Sequence, residues 1–562
     1  MENAQAEASK YEGALQIIAD GDRCVVRQSA EIHAQQPRLD SIAPLSNTIR
    51  IQGGFPCVPK EPRTLMTLRA KDLPLHYNAA TILEHNLAER AQKTALFSLE
   101  RNLTFDQVNQ ESNQVAHALQ RLDVRFGETV AIFCLDQPAW VTSFFGTLKM
   151  GGVAAGLNTL MTSGELDYIL RDCRARVLII HCSLWGTFEL ISAEQPFLQH
   201  IIVVGNKEIE TEIAYDAWID HLPTTFETVP THREDIATLN YSSGTTGQPK
   251  GILHAHKDLP LISEYWGKLT LGLTEHDRTF AGAKLFFTYG TGGNLLFPWY
   301  VGASVVLFSG SPRRAANLLQ IVDRFKPTIF YNAPTGYAIA LSMPDLESKY
   351  DLSSVRLCVS GGENLPAAIW EQWLARTGIR ILNGVGCTEV YHNFISNRPD
   401  DMRPGASGTP VPGFDLKLVD PDGNIVPEGA AGNLMVRGDT VALSYLHQYE
   451  RSKRTFQGEW FSTGDQFRRD ADGYYWHEGR SDDMLKVGGI WVSPMEVEAT
   501  LIKHPAVVEC AVVGWHDADE LIKPKAYVTL NTGFDPHTEL ADTLIAHCRA
   551  TLAAYKRPRK IE

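Results

Sequence analysis

From residue 76 onward the chain alternates short apolar runs with stretches whose apolar positions recur at helical spacing. Thr104 stands ahead of a segment in which Val108, Val115, Leu119 and Leu122 repeat at close to helical period, which predicts a helix capped by that threonine. The run Val130–Cys134 predicts a buried strand, and Trp140, Phe144 and Leu148 predict the next helix. Ser163 precedes another helical pattern with Leu166, Ile169 and Leu170 on one face. Apolar runs at Val177–Ile180, Ile201–Val204, Val305–Phe308, Thr328–Tyr331 and Val355–Val359 continue the alternation. Short apolar strands separated by helices predict an α/β chain of mostly parallel sheets covered by helices on both faces.

The texture changes twice more. Between about 405 and 445, Asp415–Val419, the turn Pro421-Asp422-Gly423-Asn424 and Leu434–Val436 predict a β-rich subdomain of hairpins. A charged joint at Gly479-Arg480-Ser481-Asp482-Asp483 leads into a small final α+β segment. The expected organisation is an N-terminal extension over 1–75 with no assignable role, a large domain over 76–481 and a small C-terminal domain over 482–562. The uncharged stretch Leu285–Phe308 is long enough to span a bilayer, but Gly290, Gly292, Gly293, Asn294 and Pro298 favour a buried strand-loop-strand.

Charge narrows the list of partners. With 66 acidic and 52 basic residues the chain carries a formal charge of −14, which repels a nucleic-acid polyanion at long range. The nine cysteines are scattered and never in C-x-x-C spacing, as expected of reduced thiols in a cytoplasmic protein. The start, Met-Glu-Asn-Ala-Gln, lacks the basic and apolar regions of a secretory signal.

The sharpest chemical signal is Tyr241-Ser242-Ser243-Gly244-Thr245-Thr246-Gly247-Gln248-Pro249-Lys250-Gly251, which follows a strand-like run from Ile236. A loop this rich in Gly, Ser and Thr turns backbone N–H groups and hydroxyls toward one anion, the usual way to hold phosphate. It is not a Walker loop, because Pro249 stands where the second glycine belongs and Gly251 follows the lysine. A mobile surface loop is the other reading of a Ser/Gly tract.

This motif resembles the phosphate-binding signature of the adenylate-forming acyl- and aryl-CoA synthetases, and further matches follow in that family's order. Gly384-Val385-Gly386-Cys387-Thr388-Glu389 resembles the segment whose threonine contacts phosphate and whose glutamate holds Mg²⁺. Ser462-Thr463-Gly464-Asp465 resembles the segment whose aspartate holds the ribose hydroxyls, and Arg480 with Asp482 resembles the ribose-contacting arginine and the hinge. Lys486-Val487-Gly488-Gly489 resembles the glycine segment lining a pantetheine tunnel.

The resemblance implies cofactor binding by Ser242, Ser243, Gly244, Thr245, Thr246, Gly247, Lys250, Gly361, Gly362, Glu363, Asp465, Arg480, Gly488 and Gly489, the last two toward the pantetheine arm of coenzyme A. It implies catalytic roles for Thr245, Thr388 and Glu389, with Glu389 the metal ligand, and use of ATP, Mg²⁺ and coenzyme A.

The chemistry suits these residue types. A carboxylate is activated by attack on the α-phosphate of ATP, which brings anions together and calls for a hard-oxygen metal ligand and phosphate donors. Taken alone, Glu389 is a solvated surface carboxylate, Asp465 a turn residue, and Arg480 and Asp482 ordinary linker charges. The pair His254 and His256 has no third ligand nearby in sequence and reads as structural.

Within the family the nearest resemblance is to benzoate-, aminobenzoate- and hydroxybenzoate-CoA ligases, through His76–Ala80, Lys284–Gly290 and Trp491–Glu496. It implies an acyl pocket of Phe287, Thr288, Tyr289, Gly386, His392 and Asn393, an aromatic wall with glycine at the floor that admits a flat ring. The resembled ligases carry an aliphatic residue in place of Asn393 and alanine in place of Thr288. The expected substrate is therefore a benzoate bearing an amino or hydroxyl group.

The family's C-terminal lysine segment is absent from a sequence that stops at Ile561-Glu562, so the resemblance implies weak acyl-AMP formation with thioester formation retained. Two alternatives stay open: a ligase loading an acyl carrier protein thiol, and a non-adenylating binder of aromatic acid or acyl-AMP.

Overall fold

A computed structural model describes residues 15–20, 23–28, 67–205, 212–244, 247–312, 314–480, 485–487, 490–517 and 522–562. The first 65 residues form one unit and the remainder another. In the first, Leu15–Asp20 and Arg23–Gln28 pair as an antiparallel hairpin.

The second unit is built on two large sheets. One has seven strands, with Thr129–Phe133 at its centre, flanked in parallel by Val153–Gly156 and Val177–His181. Its edge is a long antiparallel pair, β1 (Ile236–Gly244) and β2 (Gly247–Ala255). The other has nine strands and a parallel centre that includes Arg278–Ala281, Ile329–Asn332 and Leu357–Ser360. Its last parallel strand is β3 (Ile381–Gly386), followed by an antiparallel β4 (Asn393–Ser396) and a short edge strand, Thr409–Pro410. A third, antiparallel sheet joins Phe414–Val419, Ala431–Gly438, β5 (Trp460–Arg469) and β6 (Tyr475–Arg480). The C-terminal part packs helices Pro494–Leu501 and Thr538–Thr551 against a three-stranded sheet around a small core of its own.

Local chemistry accounts for these elements. Thr104 caps the helix Phe105–Arg121 as expected: its hydroxyl accepts from the Gln107 N–H at 3.2 Å, and the Gln107 side chain accepts from the Thr104 N–H at 2.9 Å. At the next such helix, Ser163–Asp172, the cap is Thr162 and Ser163 is the first helical residue. Val130, Ile132 and Phe133 are fully buried, as a central parallel strand requires.

The stretch 285–308 departs from the expected strand-loop-strand. It winds through α1 (Thr288–Thr291), a π-helical turn (Gly292–Leu296) and Phe297–Tyr300, and only Ser304–Val306 is a strand. The run is apolar on every face because it is buried on every face, so its pattern does not separate helix from strand. No helix among the described residues is long and apolar enough to cross a membrane.

The helix Pro138–Lys149 is buried along its whole length and meets Phe105–Arg121 at Gly146. A Cβ there would lie 2.6 Å from the Val115 side chain and 2.8 Å from the Ser112 carbonyl. Gly146→Val is therefore expected to destabilise the fold by about 1–3 kcal/mol through overpacking. Denaturant titration checks this, and an unchanged midpoint would refute it.

Candidate active site

The Ser/Gly/Thr motif forms the tip of the β1–β2 hairpin, with Ser242 opposite Lys250 and Gly244 opposite Gly247. Strand pairing thus continues through positions expected to form an open loop. Thr245 and Thr246 lie outside the described residues, as do Asp482, Gly488 and Gly489; Ser243 and Lys486 are described by backbone alone.

Lys250 reaches from β2 to the segment after β3. Its ammonium pairs with Oε1 of Glu389 and donates to the Tyr445 hydroxyl at 3.2 Å. Tyr445 in turn donates to the same Oε1 at 2.8 Å, and the ammonium stands 4.6 Å from the Tyr445 ring centroid. Glu389 is buried. Burial alone would raise its carboxyl, but attraction to Lys250 and hydrogen bonds from Lys250 and Tyr445 outweigh that and hold it below the usual carboxylate range.

His254, fully buried, bridges Oδ2 of Asp258 at 2.9 Å and the Thr388 carbonyl at 2.7 Å, supporting this segment from behind. His256 accepts from the Ala79 N–H at 3.0 Å. Both histidines are bound to protein groups, as their structural reading expects.

Lys250, Thr388 and Glu389 line a cavity of about 390 Å³ together with Ser242, Asp465 and Arg480. Oδ1 of Asp465 accepts from Arg480 at 3.2 Å across the β5–β6 pair. The Ser242 hydroxyl is buried and has no hydrogen-bond partner among the described residues. A buried hydroxyl in that state is costly unless a ligand or water completes it.

A second cavity, of about 850 Å³, is lined by all six expected acyl-pocket residues, Phe287, Thr288, Tyr289, Gly386, His392 and Asn393, and by Gly361, Gly362 and Glu363. Cys387 and Thr388 line both cavities and join them. Glu363 accepts from the Thr335 hydroxyl at 2.8 Å. Gly386 is required by close approach, since a Cβ there would lie 2.4 Å from the His392 carbonyl oxygen.

The His392 ring sits among Trp266 (4.7 Å between centroids), Phe297 (4.7 Å) and Tyr289 (5.3 Å, stacked). Burial pushes its pKa down to about 3, so the ring is neutral at physiological pH and carries one donor and one acceptor. Among the described residues neither ring nitrogen makes a close hydrogen bond, although the Tyr289 backbone is near enough to favour the charged ring slightly, and Nδ2 of the buried Asn393 has no partner. Phe287 is half exposed and stands 4.5 Å from the Phe286 ring, so it guards the cavity mouth more than its floor.

Sequence reasoning missed Tyr445, whose contact with Glu389 spans 56 positions and leaves no local motif. It also missed the buried pair at the aryl cavity. Lys284 donates to the Phe308 carbonyl and lies 3.9 Å from Asp136, whose carboxyl burial pushes up to about 6.

Residues 83–446 match the AMP-binding enzyme family, and residues 496–562 match the AMP-binding enzyme C-terminal domain. A benzoate–CoA ligase of Thauera aromatica is 42% identical over 494 residues, covering 87% of this chain and 93% of its own. The crystal structure of the anthranilate CoA ligase AuaEII in complex with anthranoyl-AMP superposes with a TM-score of 0.85 at 59% identity, covering 88% of this chain and 95% of that one. A benzoate CoA ligase from Burkholderia xenovorans LB400 superposes with a TM-score of 0.80 at 36% identity, covering 86% and 96%. The mixed α/β architecture, with a large N-terminal and a small C-terminal domain, matches these structures.

Two outcomes are expected of these side chains. Lys250→Met strands a buried carboxylate, and breaking such a pair commonly costs about 3–5 kcal/mol. Thermal unfolding is expected to show a large loss, and Lys250→Met combined with Glu389→Gln should recover part of it. A second expectation concerns acid. Below about pH 6.5 the unfolded chain protonates His392, whereas the folded chain does not until about pH 3, so stability falls as pH falls through that window. The unfolding midpoint of His392→Phe should therefore drop less between pH 7 and pH 5, by about 2 kcal/mol in stability. Equal drops in both proteins would refute it.

Proposed function

The chain belongs to the AMP-binding enzyme family, and on that premise we propose that it is an ATP-dependent aromatic acid–CoA ligase acting through an aryl-AMP intermediate. The substrate carboxylate bonds to the α-phosphorus of ATP and pyrophosphate leaves. The thiol of coenzyme A then bonds to the acyl carbon and AMP leaves. The aryl group occupies the 850 Å³ cavity and the phosphates the 390 Å³ one, so the reacting carboxylate lies near Thr388, where the two join.

In this reading Ser242, Ser243, Gly244, Thr245, Thr246, Gly247 and Thr388 supply donors to phosphate, and Lys250 its charge. Asp465 and Arg480 hold the ribose, and Gly361, Gly362 and Glu363 flank the nucleotide. Gly488 and Gly489 let the pantetheine arm approach the backbone, and Asp482 is the hinge that lets the small domain serve both steps. Glu389 would hold Mg²⁺. A buried ionised carboxylate beside a phosphate cavity fits an ion that is commonly held by one or two carboxylates plus substrate phosphates. When bound, that ion neutralises phosphate charge. In the same reading the protein acts in the cytoplasm, which suits nine scattered cysteines with no C-x-x-C spacing.

The substrate is a benzoate bearing an amino or hydroxyl group, with 2-aminobenzoate first. The observation that carries this is the set of polar atoms in the aryl cavity with no close partner among the described residues, Nδ2 of Asn393 and the ring nitrogens of His392. A bare benzene ring leaves all three unsatisfied. The neutral imidazole offers an acceptor for an amino group, and the Asn393 amide offers a donor for a hydroxyl. The likeness to a structure in complex with anthranoyl-AMP supports the same choice.

Competition among benzoate, 2-aminobenzoate and hydroxybenzoates in a CoA-dependent assay tests this. A substituted acid should win on kcat/KM. Asn393→Leu should shift preference toward benzoate by roughly 5- to 150-fold, the equivalent of about 1–3 kcal/mol for an unpaired buried polar group. Strong preference of the unaltered protein for benzoate would overturn the substrate reading.

A further inference from the structure

The smaller cavity holds more positive charge than its own carboxylates neutralise. Lys250 is paired with Glu389 and Arg480 with Asp465, which leaves Arg451 and Arg454 on its wall. Both belong to α2 (Tyr449–Thr455) and, three positions apart, share one helix face. Among the described residues neither forms an ion pair with a carboxylate. Arg451 donates to Oε1 of Gln448 at 3.3 Å and stands 5.4 Å from the Tyr445 ring centroid; Arg454 donates to the Glu450 carbonyl at 3.3 Å. These contacts use few of the five donors on each guanidinium.

An excess of acidic residues over the whole chain makes it easy to pair an arginine with a carboxylate, yet among the described residues none, Glu450 on the same helix included, forms an ion pair with these two. Two like charges facing one cavity repel each other unless an anion lies between them. In the same cavity the Ser242 hydroxyl is buried with no partner among the described residues, an independent sign that a hydrogen-bonding group completes it.

We propose that Arg451 and Arg454 bind the β- and γ-phosphates of ATP and hold the pyrophosphate as it leaves. The proposal rests on the ligase reading above and adds to it the residues that take the leaving group. As the carboxylate oxygen bonds to the α-phosphorus, the bond from that phosphorus to the bridging oxygen breaks and its electron pair stays on pyrophosphate. Planar guanidinium groups meet such oxygens with paired, charge-assisted donors. In the second step the coenzyme A sulfur displaces AMP from the acyl carbon and releases its proton, and no pyrophosphate is present. The pair therefore serves one half of the reaction only.

The test compares the unaltered protein with Arg454→Gln, Arg451→Gln and the charge-conserving Arg454→Lys. ATP binding is measured by calorimetry. ATP formation from pyrophosphate and synthetic 2-aminobenzoyl-AMP gives the KM for pyrophosphate. Thioester formation from the same adenylate and coenzyme A reports the second half-reaction. The glutamine variants should weaken ATP binding and raise the pyrophosphate KM by roughly 10- to 100-fold, with Arg454→Lys retaining much of both. Thioester formation should change by less than about threefold. Unchanged ATP and pyrophosphate constants would refute the pair. So would a defect confined to the coenzyme A KM, which would assign these arginines to the phosphates of that co-substrate, or a uniform fall in all arms with lost thermal stability. Failure of the ligase reading looks different: the unaltered protein would bind ATP but release no pyrophosphate with any aromatic carboxylate.

Discussion

The Lys250–Glu389 ion pair is the interaction on which the rest of the site depends. Removing two charges from water costs several kcal/mol per ion, and their mutual attraction offsets that only with good geometry and further hydrogen bonds. Tyr445 supplies the further bond, donating to the carboxylate while accepting from the ammonium. The three groups come from separate places. Lys250 is on the edge hairpin of the seven-stranded sheet, Glu389 follows the last parallel strand of the nine-stranded one, and Tyr445 lies in the connection between Ala431–Gly438 and β5 of the third sheet. Backbone bonds repeat the stitch: Leu446 donates to the Gly251 carbonyl at 2.8 Å, and Ala442 to the Glu389 carbonyl at 2.8 Å. The anion-handling cavity therefore exists only once all three sheets have assembled, which makes completing the fold the condition for forming the site.

The two cavities differ in kind. One is walled mainly by apolar and neutral groups, Phe287, Tyr289 and His392 among them, with Lys284 and Glu363 its charged side chains; the other is walled largely by ionised groups. Thr388 and Cys387 stand between them. Burial and the neighbouring Glu389 and Asp465 carboxylates push the Cys387 thiol up, so it stays protonated and does not compete as a nucleophile where an acyl-AMP would form. Separation of this sort lets an aromatic ring be desolvated without desolvating phosphate, each against the surface that suits it.

What was legible in the sequence follows the range of the physics involved. The helix after Thr104 could be read because its cap and apolar stripe are local, and Val130–Cys134 because a central parallel strand is apolar throughout. The stretch 285–308 could not, since burial on all sides erases the periodicity that distinguishes helix from strand. The hairpin pairing of Ser242 with Lys250 was hidden by a composition that reads as loop. In the site, contiguous motifs pointed to Glu389, Asp465 and the aryl residues, which line the two cavities as grouped. Tyr445 and Asp136 carry no such mark, and the stretch that begins at Lys284 does not show what that lysine meets. Each is a single polar residue whose meaning depends on a partner in another element.

A chain with 14 more acidic than basic residues would be a poor receptor for polyphosphate if net charge decided binding. It does not, because charges beyond a Debye length of about 8 Å at physiological salt are largely screened. What an anion meets is the local field, and inside the smaller cavity four cations face two carboxylates. Those two carboxylates are not idle neutralisers. Glu389 holds Lys250 extended into the cavity, and Asp465 holds Arg480 across the β5–β6 pair, so each fixes a cation in place at the cost of its charge. Position is supplied by the paired cations and net attraction by the unpaired ones.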